Sequence, residues 1–418
     1  SSNRRFLVNA STGSPFFYMA DTAWHLFNKL SRSQADQYLS TRAKQGFTVI
    51  QAEVNTRFGA NVNGDTPFVD GDPMQPNEDF FQNVDYIVGR ATALGMYISL
   101  VPLDTRWASR GVFDPTSAYT FGRYLGARYR SSKIIWTLGG DIGGDEVPSG
   151  LTLWRELAAG IARGAANKDL SKVLMQYHPG YNQDSSQWFN GDAWLDMNAF
   201  QSGHGQNPAN YNKVAADYAK SPTRPVMDIE TDYEDIPAGI QAGAPRLTDY
   251  DVRKAQYWAL FAGAHGVTYG NNNVWQFVKT ISTRNLATMT WQEALDSPGA
   301  NSMSVLKRLM LSRPYLNRVP DQGLIVGSTL SGGDHIQATR ASDGSYAFVY
   351  TAGGKPVTVN LSKLSGSKLD VRWYNPRSGR STYVGQFDKT GNRTFNAPVA
   401  GYDWVLVIDD ASRHFGKP

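Results

Sequence analysis

Two short apolar runs in this chain each stop on a carboxylate. Ile134-Ile135-Trp136-Thr137-Leu138-Gly139-Gly140 leads into Asp141, and Pro225-Val226-Met227-Asp228-Ile229 leads into Glu230. Such runs read as buried strands, and in a parallel barrel the carboxyl ends of the strands are where side chains meet a substrate. Two acids so placed have the chemistry needed to cleave a glycosidic bond, which requires one carboxylic acid to protonate the leaving oxygen and a second carboxyl group working at the anomeric centre. Either acid taken alone has a competing reading as the cap of the helix that follows. Taken jointly they favour catalysis, because strands four and seven of an eight-strand ring face each other across its mouth. Gly139-Gly140 reads as backbone left open to close ligand approach. Asp228, two residues before Glu230, is expected to share its direction lower in the barrel and to orient a neighbour.

Polar and aromatic residues cluster at the other expected strand ends. Asp21, Trp24 and His25 follow the first strand, Gln51, Glu53 and Asn55 the second, Asp104, Arg106 and Trp107 the third. His178 follows the fifth, Gln201 and His204 the sixth, and Tyr269 and Trp275 the eighth. Sugars expose many hydroxyls that need paired donors and acceptors, and flat aromatic rings suit their apolar faces, so these residues are candidate substrate contacts. For each of them a structural hydrogen bond or plain packing is the rival reading. His25, His178, His204 and His265 lack the i, i+4 spacing of a helical zinc pair and no cysteine assists them, so neither a metal nor another cofactor is expected.

The elements that must position these groups are legible as alternation. Strand-like runs at Phe16–Ala20, Phe47–Ala52, Met96–Val101, Lys133–Leu138, Lys172–Tyr177, Asp196–Phe200, Pro225–Ile229 and Gly266–Tyr269 are separated by helical patterns at Ser33–Lys44, Asn77–Leu94, Thr116–Tyr129, Leu151–Ala166 and Asp251–Ala262. Eight such units predict a (β/α)8 TIM barrel, an α/β fold, over residues 1–318. Beyond it the texture changes to short β-prone runs, among them Ile336–Arg340, Tyr346–Thr351 and Trp404–Ile408, divided by Gly, Ser, Asn and Asp turns. Residues 319–418 are therefore expected to form a small antiparallel all-β sandwich domain. Its Trp373, Tyr374 and Trp404 are expected in the core, with sugar stacking as the rival.

At 418 residues with 41% hydrophobic and 19% charged side chains, the chain can bury large cores. A net charge of +4 from interspersed residues gives no basis for nucleic-acid binding, and no apolar stretch is long enough to span a bilayer. The expected partner is an oligosaccharide or glycoside, the expected state a monomer, and the expected location secreted or periplasmic.

The motifs Ala20-Asp21-Thr22-Ala23-Trp24, Val49-Ile50-Gln51, Ile135 through Asp141, Phe200-Gln201-Ser202-Gly203-His204, Pro225 through Glu230 and Gly266-Val267-Thr268-Tyr269-Gly270 together resemble those of glycoside hydrolase family 140, the apiosidase-like enzymes. The resemblance implies a retaining hydrolase with Asp141 as general acid/base and Glu230 as nucleophile, releasing the branched furanose apiose from pectic glycans. A related barrel hydrolase on another sugar, such as an arabinofuranosidase, and a non-catalytic glycan-binding protein are the alternatives.

Overall fold

The structure is a computed structural model that describes residues 1–54 and 59–418. Asn55, one of the strand-end candidates, lies outside the described residues. Eight parallel strands form the first part: β1 (Tyr18–Thr22), β2 (Val49–Glu53), β3 (Tyr97–Val101), β4 (Ile134–Gly139), β5 (Met175–His178), β6 (Asn198–Gln201), β7 (Val226–Glu230) and β8 (Gly266–Tyr269). Six are hydrogen-bonded in the order β5-β4-β3-β2-β1-β8, and β6 pairs with β7. The ring closes through a bridge between Gln176 and Met197 and through the His265 N–H, which donates to the Val226 carbonyl at 2.9 Å. All eight strands overlap runs expected from the sequence, the fifth starting only at Met175 because a 3-10 turn, Leu170–Lys172, precedes it. The barrel architecture and the β-rich domain after it are both as expected.

Side-chain alternation divides the strand residues between the barrel interior and the surrounding helices. Tyr18, Ala20, Val49, Ile135, Met197, Ala199, Met227 and Ile229 form one interior apolar cluster. A buried polar layer adjoins it: Ser99 Oγ and Thr137 Oγ1 lie 2.6 Å apart, and Gln176 Nε2 donates to Thr137 Oγ1 at 3.0 Å and to the Tyr18 hydroxyl at 3.2 Å. Pairing these polar groups with one another lowers the cost of burying them.

The helices carry the terminal signals their ends require. Arg32–Lys44 is capped by Ser31, two residues before the Ser33 start expected from the sequence, in a reciprocal box with Gln34. Gly46 and Gly95, each in a left-handed conformation, follow the ends of Arg32–Lys44 and Glu78–Ala93. No helix among the described residues is long and apolar enough to cross a membrane.

The second part is a sandwich. β9 (Arg318–Pro320), β10 (Ile336–Ala341), β11 (Tyr346–Thr351), β13 (Lys368–Tyr374), β14 (Ser381–Asp388) and β16 (Trp404–Asp410) form an antiparallel sheet ordered β14-β13-β16-β11-β10-β9. The hairpin-like pair β12 (Val357–Asn360) and β15 (Asn392–Phe395) covers one face, enclosing Leu324, Val349, Val371, Trp373, Trp404 and Leu406. The opposite face packs on the barrel. Tyr257 and Phe261 of helix Asp249–Phe261 stack on Tyr350 and Phe348, with ring centroids 4.8 and 6.0 Å apart. Trp373, Tyr374 and Trp404 are all buried, as core residues.

Candidate active site

A cavity of about 470 Å³ opens at the carboxyl ends of the barrel strands, lined by Trp24, His25, Glu53, Asp104, Arg106, Asp141, His204, Glu230, Tyr233, Asn272, Trp275, Gln276, Arg284 and Asn285, among others. Both acids singled out from the sequence therefore face one space. Neither caps a helix: the first helix after Asp141 starts at Leu151, and the first α-helix after Glu230 starts at Asp249. The capping role falls instead to Asp104, whose Oδ1 accepts from the backbone N–H groups of Arg106 and Trp107 at 2.7 and 3.2 Å.

Glu230 ends β7 and is only 6% exposed. His178 Nε2 stands 3.2 Å from its Oε2 and His204 Nε2 3.2 Å from its Oε1. Burial alone would raise its pKa, but hydrogen bonding and charge from the two imidazoles outweigh that and hold Glu230 well below the usual carboxylate range. Asp141 has the opposite setting. Its side chain opens to the cavity while protein encloses it elsewhere, and that enclosure, together with the negative charge of Glu230, raises its pKa to about 6. The Gln201 side chain hydrogen-bonds its carboxyl group. The two acids therefore hold different protonation states around neutral pH, which is the division of labour that acid-assisted displacement needs.

The backbone before Asp141 is tightly constrained. Gly139 and Asp141 both take left-handed conformations, with φ of +75° and +59°. Aspartate tolerates that region better than most residues. A Cβ on Gly139 would lie 2.5 Å from the His178 carbonyl oxygen, and one on Gly140 would lie 2.7 Å from that of Leu103. The double glycine thus lets the ends of β3, β4 and β5 close on one another. This corrects the expectation that it opens the backbone to a ligand.

His204 is held over Glu230 by the end of β6. The N–H groups of Ser202 and Gly203 donate to the Glu230 carbonyl at 3.1 and 3.3 Å, and Ser202 Oγ donates to Asp228 at 2.7 Å. Asn210 Nδ2 donates to the same carboxyl group at 2.9 Å. Asp228 does orient neighbours, but from outside the ring: Met227 and Ile229 point inward, so Asp228 faces the helix Asn210–Tyr218. Burial raises its pKa to about 7 against these hydrogen bonds.

Of the expected substrate contacts, Trp24, His25, Glu53, Asp104, His204 and Trp275 line the cavity. His178 and Gln201 are buried beneath it and touch the two acids. The other four lie away from it. Asp21 follows inward-facing Ala20 and so points out to a helix, where Tyr38 and Arg42 bond its carboxylate at 2.5 and 2.6 Å. Tyr269 also faces outward, its hydroxyl donating to Glu234 at 2.6 Å. Gln51 faces inward but sits below the mouth, its Nε2 3.5 Å from the Ile229 carbonyl. Trp107 packs on Phe68, with centroids 5.5 Å apart.

The sequence reading missed Tyr233, Asn272, Gln276, Arg284 and Asn285. All lie in the long connections after β7 and β8, where no periodicity marks them. Asn272 Nδ2 donates to the Leu286 carbonyl at 2.9 Å and Gln276 Nε2 to the Asn285 carbonyl at 2.9 Å, fixing the loop that brings Arg284 to the cavity. Gly270 makes room for Tyr233, whose ring would lie 2.1 Å from an added Cβ. Among the described residues, no group of three or more His, Cys, Asp or Glu is arranged to hold a metal ion.

Comparison with known proteins gives the same fold and a family. A family model described as "Apiosidase-like, catalytic domain" matches residues 1–317, and one described as "Putative collagen-binding domain of a collagenase" matches residues 319–409. No curated protein matches the chain. Among solved structures, a glycoside hydrolase family 5 protein from Bacteroides vulgatus is 32% identical with a TM-score of 0.93, over 100% of this chain and 94% of that one. A second, described as a glycoside hydrolase, is 33% identical with a TM-score of 0.91, over 99% of each. A family 30 endoxylanase from Clostridium papyrosolvens, at 12% identity and a TM-score of 0.51 over 94% and 96%, shares the fold alone.

Proposed function

The chain belongs to the apiosidase-like catalytic-domain family, and from that premise we propose that it is a retaining glycoside hydrolase releasing a terminal furanose, apiose first among them, from pectic glycans or plant glycosides. The observation that carries this reading is the unlike pair in one cavity, Asp141 with its pKa raised to about 6 and Glu230 held ionised. In the first step Glu230 attacks the anomeric carbon while Asp141 passes its proton to the leaving oxygen. In the second, Asp141 takes a proton from water as the water displaces Glu230 from the sugar, which regenerates both groups. Glu230 leaves as a carboxylate, its favoured form between the two imidazoles.

Arg106 and Arg284, both exposed, line the mouth of the cavity and support an acidic glycan as the carrier of the released sugar. A substrate of that kind belongs outside the cytoplasm, which makes an extracytoplasmic location part of the proposal. The test is trapping: an activated fluoro-apiofuranoside should label Glu230, and a label on any other residue removes it from the nucleophile role. Turnover of aryl arabinofuranosides in preference to apiofuranosides would move the assignment to a neighbouring activity.

A further inference from the structure

The two acids follow different strands, yet a single buried ring meets the carboxylate of one and the backbone of the other. His178 closes β5 and has no solvent exposure. Its Nε2 lies 3.2 Å from Glu230 Oε2. Its Nδ1 lies 3.3 Å from the backbone nitrogen of Asp141, which donates to it, and 3.0 Å from the Pro179 carbonyl oxygen. The edge of Trp24 closes a further side of the ring, with centroids 5.2 Å apart. The charged groups facing the ring are therefore Glu230 from β7 and Asp141 from the end of β4, with the Pro179 carbonyl from its own strand.

Resting on the hydrolase reading above, we propose that His178 is a positioning residue that sets both acids at once, orienting the Glu230 carboxylate through Nε2–H and holding the Asp141 peptide through Nδ1. The peptide needs such a hold. Asp141 is in the left-handed region, and the glycines before it are packed against neighbouring backbone, so its position depends on what bonds its N–H. Glu230 Oε2 and His178 Nε2 are both buried without another hydrogen-bond partner, and they face each other at 3.2 Å. Glu230 beside Nε2 favours the neutral tautomer that carries its proton there, which leaves Nδ1 free to accept from the Asp141 N–H. One ring thus couples the orientation of the nucleophile to the placement of the acid.

The experiment separates the two arms with two substitutions and two leaving groups. Glutamine places an amide near the position of Nε2 and asparagine near that of Nδ1. Each variant is assayed at equal folded concentration on a dinitrophenyl apiofuranoside, which needs no proton from Asp141, and on an alkyl apiofuranoside, which does. His178→Gln keeps the Glu230 arm and should lose at least ~10-fold more on the alkyl glycoside than on the dinitrophenyl one. His178→Asn keeps the Asp141 arm and should lose ~100-fold on both, with the loss in kcat rather than KM. Equal losses by both variants on both substrates, or losses confined to KM, would overturn the proposal. If neither variant folds, ring-nitrogen NMR decides: His178 should titrate at lower pH in Glu230→Gln than in the wild type, and an unmoved titration sinks the proposal. Failure of the hydrolase reading shows separately, as a wild-type enzyme that turns over neither glycoside, and the ring titration then judges His178 by itself.

Discussion

Asp141 and Glu230 impose opposite protonation requirements on the reaction. Glycosylation needs Asp141 protonated and Glu230 ionised. With Asp141 near 6 and Glu230 low, kcat/KM should fall as pH rises through about 6 and fall again only at strongly acidic pH. A pH–rate profile checks this, and a plateau running unbroken to pH 8 contradicts it. Asp141→Asn should lower kcat by roughly 10²- to 10⁴-fold on substrates with poor leaving groups. Glu230→Gln should lower it by roughly 10⁴-fold or more, and by removing a negative neighbour should also bring the pKa of Asp141 down. Carbon-13 NMR of the Asp141 carboxyl group in the variant reads that shift directly.

Strands and helices explain why some candidates were legible and others were not. All eight strands of the ring show in the sequence because each is a compact apolar run bounded by turn residues, and the two acids show because they interrupt such runs. Asp21 and Tyr269 look the same in one dimension, but the two-residue period sends them to the outer face. Only a strand-by-strand assignment of inward and outward positions, anchored here by inward Ala20 and outward Val267, separates them from the site. Arg284 and Gln276 were invisible for another reason: they depend on long connections whose path is set by side-chain amides bonding distant carbonyls. The outward reading of Asp21 is testable. Its pair with Arg42 is fully buried, so Asp21→Ala should cost about 3–5 kcal/mol in denaturant unfolding while leaving kcat/KM per folded molecule intact. Gly140→Ala should cost about 1–3 kcal/mol, because the added methyl group meets the Leu103 carbonyl rather than a pliable side chain.

At the scale of the whole molecule, barrel and sandwich share an apolar seam. Val252, Tyr257, Trp258, Phe261, Met303 and Leu306 of the barrel helices lie in one cluster with Phe348, Tyr350, Tyr374 and Val407. Buried ion pairs stitch its edges: Arg253 to Asp403 and Arg313 to Asp409, each at 2.7 Å. The sequence announced two textures but not this contact, because an apolar residue on a helix or strand does not declare which neighbour covers it. Truncation after residue 317 should therefore give insoluble protein, and Asp403→Ala should cost about 3–5 kcal/mol and lower a single melting transition shared by both parts. Two separate transitions would contradict that. A practical corollary follows for anyone recombining relatives: the tail is not an exchangeable cassette. A chimera that grafts another tail onto this catalytic half must bring a matching complement to Tyr257, Phe261 and Arg253, or it will leave a greasy, charged scar where a keystone should sit.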